Sequence, residues 1–287
     1  MPELPEVTVI TEQLNEKLKG LVLKSIEYDW PKKFYWGDFS IKDISGARIT
    51  GVERRGKLVI IYLDNNILIL FHLKLTGQLI FVGKNTRVGG GHPLPPLNSP
   101  VPNTTTRVAF TFSNGEKLYF NDMRKFGWVK IIPESKLGSE PYIKNLGPDP
   151  LEISFTEFKN RLNKRPQGRI KKTLMDQSVV GGIGNIYSDE GLWYAKVHPK
   201  RSVVSLDTDD LKAIYNGVRK SFKIAIEKGG SSDNAYVDSG GEKGLYLSFR
   251  KTYHMTGKPC SRCKTPIVRE KIDGRSAHYC PNCQKIK

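Results

Sequence analysis

Four cysteines constrain this 287-residue chain more than any other feature. Cys260, Cys263, Cys280 and Cys283 are all the cysteines it has, and they form two C-x2-C pairs separated by sixteen residues. Two tight pairs at this spacing can present four thiolates to one tetrahedral Zn²⁺. A closed four-thiolate shell leaves no open position for catalysis, so the expected metal is a single structural ion in a C-terminal ribbon. The alternative, two disulfides, suits a secreted chain. The start, MPELPEV, is acidic and lacks the basic and apolar regions of a secretory signal, so an intracellular setting is expected.

Charge points to the partner. Lys and Arg number 46 against 29 Asp and Glu, a formal net charge of +17, and the excess is spread through folded-looking sequence. A distributed excess of cations suits a polyanion, with nucleic acid the leading class. Lys258, Arg262, Lys264, Arg269, Lys271 and Arg275 surround the cysteine pairs. A metal-stapled ribbon carrying so many cations is a good phosphate-contacting module. No stretch approaches the roughly 20 apolar residues that cross a bilayer.

Periodicity divides the chain. Val7, Ile10, Leu14 and Leu18 recur at helical spacing before Gly20. Strand-like runs follow at 21–28, 48–54, 58–63, 67–73, 78–82, 108–112, 117–120 and 128–132, with Asn65-Asn66 as a hairpin turn and 83–106 as a long surface loop. The first 132 residues therefore form a β-rich domain. After the turn-forming 146–150, Ser154 and Glu157 make a capping box, with Ile153 and Phe158 as its staple. Helical stretches are expected at 170–179, 186–194 and 209–228, the last ending at Gly229-Gly230. Between the first two of these, Gly181-Gly-Ile-Gly184 permits a sharp turn, and a helix starting near Asn185 would aim free N–H groups at a phosphate. A plain interhelical connection would look the same.

The N-terminus holds the candidate chemistry. In Pro2-Glu3-Leu4-Pro5-Glu6, two carboxylates lie within reach of a secondary amine once Met1 is removed. An N-terminal amine has an ordinary pKa near 7.7–8.0, so an appreciable neutral fraction exists at pH 7. Such an amine can attack an electrophilic carbon and form a Schiff base. Standing alone, the segment also reads as a solvated acidic start before a helix.

Five motifs occur together in one order: MPELPEV, RRGK at 54–57, DxRxFG at 122–127, GGIGNIYSDE at 181–190, and the four-cysteine ribbon ending CPxCQ. On these motifs the chain resembles, over essentially its whole length, the formamidopyrimidine-DNA glycosylase and endonuclease VIII family. The resemblance implies an α+β multidomain fold: an N-terminal helix plus β-sandwich catalytic domain over 1–132, a helix-two-turn-helix DNA-binding domain over 150–232, and a lesion-loop segment with the zinc ribbon over 233–287.

It also implies an activity, that of a bifunctional glycosylase and abasic-site lyase of base excision repair. The substrate is double-stranded DNA with oxidised bases or abasic sites, and the enzyme a monomer in the nucleoid-bearing cytoplasm, or nuclear in a eukaryote. Pro2 is the implied nucleophile at C1′, Glu3 moves the protons, Glu6 shapes the same site, and Lys57 contacts phosphates beside the nucleophile. The Schiff base then allows β- and δ-elimination without a metal or organic cofactor in that chemistry. Leu75, Arg124 and Phe126 are the implied fillers of the void left by the flipped nucleotide. Lys125, Asn185 and Arg275 are the implied phosphate contacts. HLKLTG at 72–77 replaces the family's more usual HLGMSG, which puts Leu75 where the formamidopyrimidine branch has methionine.

Residues 230–247 match the loop that closes over 8-oxoguanine and favour oxidised purines. An endonuclease VIII-like preference for oxidised pyrimidines is the first alternative. A non-catalytic zinc-ribbon DNA-binding protein is the second, against which the intact Pro2, Glu3 and Lys57 argue. A basic ribosomal or transcription protein would leave four motifs unexplained.

Overall fold

The computed structural model describes residues 1–91, 99–230 and 246–286. Two compact units divide the chain, one built from Met1–Lys144 with Ile226–Leu247, the other from Asn145–Ala225 with Ser248–Lys287.

The first unit opens with helix α1, Leu4–Leu18. It begins three residues before the apolar periodicity does. Pro5 is tolerated there because the first helical turn has no use for its missing N–H, and Glu6 accepts the Glu3 backbone N–H at 2.8 Å, the reach-back of a capping box. Strands β1 (Leu23–Tyr28) and β2 (Phe34–Tyr35), the short helix α2 (Ile41–Ile44), and strands β3 (Ile49–Arg55), β4 (Leu58–Leu63), β5 (Ile67–His72) and β6 (Gly77–Val82) follow. Next come β7 (Arg87–Gly91), β8 (Thr106–Phe112), β9 (Lys117–Asp122), β10 (Trp128–Pro133) and helix α3 (Pro141–Lys144).

Two five-stranded sheets form, in the orders β1-β8-β9-β6-β7 and β2-β10-β5-β4-β3. Their facing sides share one core with the apolar stripe of α1, running from Val7 and Ile10 through Phe71, Phe110 and Phe120. This is the β-sandwich expected from the resemblance. In β4 and β5 the runs LVIIYL and ILILFH lack polar alternation because both faces are covered. Val59, Ile61 and Ile69 point into the sandwich, while Leu58, Ile60, Leu68 and Leu70 face a second cluster closed by Leu137, Tyr142 and Ile143. At roughly 1.5–3 kcal/mol per buried Leu or Ile, this second layer contributes substantially to holding β4 in place.

The reading of 83–106 as a single surface loop is corrected: β7 lies within it and pairs with β6. RVGGG has almost no strand signature because α1 packs directly on it. A Cβ at Gly90 would collide with the Ile10 side chain, so the strand is glycine-rich to admit the helix.

The second unit is helical: α4 (Phe155–Asn163), α5 (Ile170–Met175), α6 (Asn185–Ala195) and α7 (Thr208–Glu227) precede the hairpin of β11 (Val268–Ile272) and β12 (Arg275–Tyr279). Ser154 caps α4 through its hydroxyl. Helix α5 is shorter than the expected 170–179, because the Asp176 carboxylate accepts the Ser178 N–H at 2.9 Å and its hydroxyl at 2.6 Å, turning the chain out of the helix. Helices α6 and α7 cross closely at Gly191 and Gly217, where a Cβ on Gly191 would stand 2.6 Å from Val218 Cγ2. Among the described residues, no helix is long and apolar enough to cross a membrane.

Candidate functional site

The N-terminal end of α1 lies deep in the first unit. Pro2, Glu3 and Glu6 are buried, with Glu3 and Glu6 only 3% and 5% exposed. The backbone amine preceding Pro2 is held below its ordinary 8.0, chiefly by burial; Lys57 pushes the same way, while Glu3 and Glu6 oppose. These four groups therefore share one electrostatic neighbourhood. Gly230, at φ +87°, closes over Glu6, so close that its Cβ would be 3.3 Å from Glu6 Cγ.

Lys57 reaches this neighbourhood from the β3–β4 turn, where Gly56 takes a positive φ of 57°. It is 5% exposed, and its N–H donates to the Tyr142 hydroxyl at 3.2 Å. Burial pushes that phenol up. The Tyr142 ring meets His72 edge-on at 5.0 Å. His72 Nδ1 accepts the Lys74 N–H at 3.1 Å, and burial, followed by the Lys74 and Lys57 charges, takes the imidazole down to about 3. It is a neutral group at working pH. Neither was assigned a role from the sequence: Tyr142 lies far along the chain from Pro2 and carries no motif of its own, and His72 opens the HLKLTG stretch, in which only Leu75 was given one.

The expected void-filling residues sit on two neighbouring loops. Leu75 and Phe126 are 38% and 46% exposed, and the Arg124 guanidinium stacks 4.8 Å from the Phe126 ring centre. Lys125 is exposed at φ +56°. What joins the loops is Asp122, fully buried and likewise missed as a site residue. One oxygen accepts the Thr76 hydroxyl and, at 3.2 Å, the Arg124 N–H; the other accepts the Gly127 N–H at 2.7 Å. Two apolar side chains are thus held out in water by a buried polar hub.

In the second unit, Asn185 opens α6 after the turn through Gly182 at φ +90°. Its Oδ1 is buried with no hydrogen-bond partner among the described residues. Arg275 is exposed and directly follows the two-residue hairpin turn Asp273-Gly274, both at positive φ. Most of residues 230–247, the expected lesion loop, lies outside the described residues.

Cys260, Cys263, Cys280 and Cys283 are all free thiols, and their four sulfurs lie within 4.8 Å of one another. A Zn–S length of about 2.3 Å implies a tetrahedral edge of about 3.8 Å, so the cluster is of the right size. Hydrogen bonds from Thr265 and Asn282 draw the Cys263 thiol down to about 5, whereas burial and neighbouring thiols push Cys283 up to about 12. A dication at the centre reverses the second effect, because thiolates bind it. Trp193 of α6 packs on the cluster, with the Arg262 guanidinium 3.6 Å over its ring.

Comparison with known proteins matches three family models in succession along the chain. The formamidopyrimidine-DNA glycosylase N-terminal domain matches residues 1–129, its H2TH domain 146–236, and the zinc finger found in FPG and IleRS 257–286. The formamidopyrimidine-DNA glycosylase of Pelotomaculum thermopropionicum is 37% identical over 290 residues, covering all of both chains. The Lactococcus lactis Fpg bound to DNA containing an abasic site superimposes with a TM-score of 0.86 at 29% identity, over 99% of this chain and 100% of that one. A MutM bound to DNA containing carbocyclic 8-oxoG gives 0.85 at 30% identity, with the same coverage.

Proposed function

This chain belongs to the formamidopyrimidine-DNA glycosylase family, a bifunctional base-excision-repair glycosylase and abasic-site lyase with one structural zinc, and from that membership we propose how its own residues divide the reaction. Its substrate is DNA carrying oxidised bases or abasic sites, the ligand class of its solved relatives. The proposal assigns 8-oxoguanine and formamidopyrimidines as the preferred lesions, and a monomer in the nucleoid-bearing cytoplasm as the working form.

Removal of Met1 makes Pro2 the terminal amine in a buried seat beside Glu3, Glu6 and Lys57. Burial lowers the Met1 amine beside it, and the same desolvation favours the neutral, nucleophilic form of an amine seated at Pro2. The Pro2 nitrogen forms a bond to C1′ as the base leaves with the electrons of the glycosidic bond. Glu3 delivers the proton that opens the sugar and later takes the one lost in elimination. The resulting iminium draws electrons from the sugar, so that the 3′ and then the 5′ phosphate depart. Glu6 fastens the helix start on which Pro2 and Glu3 ride. Lys57 meets a phosphate of the damaged nucleotide.

Flipping that nucleotide costs a few kcal/mol of unstacking, which Leu75, Arg124 and Phe126 offset by filling the void. Lys125, Asn185 and Arg275 hold phosphates. The observation that carries the assignment is the burial of Glu3, Glu6 and Lys57 around the N-terminal amine. Borohydride trapping on an 8-oxoguanine duplex tests it. Met1-free protein is expected to cross-link, and Pro2→Gly is expected to lose the adduct. An adduct mapped to an internal lysine would refute the proline assignment. Stronger cleavage of thymine glycol than of either purine lesion would reverse the substrate choice.

A further inference from the structure

The GGIGNIYSDE motif contains two carboxylates that the reaction does not use. Both are fully buried, Asp189 at 1% and Glu190 at 0% exposure. Glu190 accepts the backbone N–H groups of Lys251, Thr252 and Tyr253 at 2.8–2.9 Å, which anchors the chain entering the ribbon. Asp189 does something different. One oxygen is ion-paired with Lys171 of α5, itself 1% exposed, and Lys171 Nζ also donates to the Ser276 carbonyl at 2.7 Å. The other oxygen accepts the His278 backbone N–H at 2.9 Å and lies 3.0 Å from His278 Nδ1.

The connections converge on β12. Ser276 and His278 are the first and third residues after Arg275, so two of the nearest backbone groups on that strand are fixed to the helices. Asp189 lies one turn along the helix that Asn185 opens. The paired carboxylate and ammonium thus join the element carrying Asn185 to the element carrying Arg275. A carboxylate suits the task because it offers two acceptor oxygens, one for each side of the bridge. Removing one partner of such a buried pair leaves the other uncompensated.

We infer that Asp189 is a positioning residue for Arg275: through Lys171 and the His278 N–H it sets the hairpin at the distance from the start of α6 that lets Asn185 and Arg275 grip phosphates of one strand together. The inference rests on the phosphate role proposed for Arg275. Asp189 itself never touches DNA. A residue that merely stabilised the unit would be indifferent to whether Arg275 is present, whereas a positioning residue acts only through it.

The test is a double-variant cycle on zinc-loaded, full-length protein, read by binding to a duplex with a tetrahydrofuran abasic analogue. Arg275→Ala is expected to weaken binding about tenfold, the scale of one charge-assisted contact. Asp189→Asn, which keeps the shape but has one acceptor oxygen, is expected to reproduce most of that loss. The double variant is expected to lose no more than Arg275→Ala alone. Losses that multiply to about a hundredfold would overturn the inference.

Amide exchange of β12 without DNA provides the second arm, with faster exchange expected at His278 in Asp189→Asn. Unchanged exchange there would overturn the positioning while leaving the phosphate role standing. Full affinity in Arg275→Ala would instead withdraw the phosphate role. Should Asp189→Asn fail to retain one zinc per chain, Lys171→Met with Asp189→Leu removes both charges and puts apolar side chains of similar outline in their place. That variant is expected to hold zinc and still show the coupled loss of affinity; independent losses there would refute positioning.

Discussion

Replacing Asp122 with asparagine is expected to release the two loops that carry Leu75, Arg124 and Phe126. The carboxylate is fully buried and accepts three hydrogen bonds, from the Thr76 hydroxyl and the Arg124 and Gly127 N–H groups. An amide can turn its oxygen toward Thr76 and Arg124 or toward Gly127, but not both. Its NH₂ then faces a donor. One charge-assisted bond is lost, worth about 1.5–3 kcal/mol, and a buried donor is orphaned, so a total of about 2–4 kcal/mol follows. Thr76→Val removes only the hydroxyl and is expected to cost about 1 kcal/mol.

Urea unfolding reads both values as midpoint shifts at constant slope. The functional consequence is read with 2-aminopurine opposite an abasic analogue. Wild-type side chains entering the duplex restack or displace that base, and looser loops leave its fluorescence closer to that of free DNA. If Asp122→Asn shifts the midpoint less than Thr76→Val does, and leaves the fluorescence change intact, the carboxylate is not the hub that joins the two loops.

His72 makes the stability of the first unit sensitive to pH. Its folded pKa of about 3 lies below the unfolded 6.5, so its contribution is complete above pH 6.5 and is lost as pH falls toward 3. The loss reaches roughly 3 kcal/mol at pH 4 on its way to a full value of about 5, and comparing wild type with His72→Gln by thermal melting across pH 7 to 4 isolates it, because the variant lacks that slope. Chelation of the zinc is expected to expose four titratable thiols and abolish protection of β12 amides, with intact mass giving one zinc per native chain. Protein that retains Met1, identified by mass, is expected to give no borohydride adduct because its Pro2 nitrogen is an amide. If about six phosphates are neutralised, log affinity should fall with log salt at a slope near −5, and Lys125→Ala should reduce that slope by about one; a flat dependence would refute the electrostatic reading of the +17 charge.

Several levels of this protein are legible without coordinates, each for a local reason. The cysteine spacing specifies a metal ribbon because two short loops suffice to build a tetrahedral site. The period of Val7, Ile10, Leu14 and Leu18 marks a helix because one face must meet a core. The Gly181–Gly184 turn and the start of a helix at Asn185 follow from backbone sterics. Strand β7 was invisible because its glycines answer to Ile10 on another element, not to strand propensity.

The amino-acid sequence by itself thus determined most element types, β7 excepted, the four zinc ligands and, through motif order, Pro2, Glu3 and Lys57 as candidates for chemistry. Only the tertiary structure decided which buried polar groups hold those candidates in place. Tyr142 reaches Lys57 from 85 residues away, Asp122 meets Thr76 across 46, and Asp189 meets His278 across 89. Such partners leave no periodicity, because a buried carboxylate or phenol is stabilised by whichever donor the fold brings within about 3 Å, and chain distance does not enter that energy.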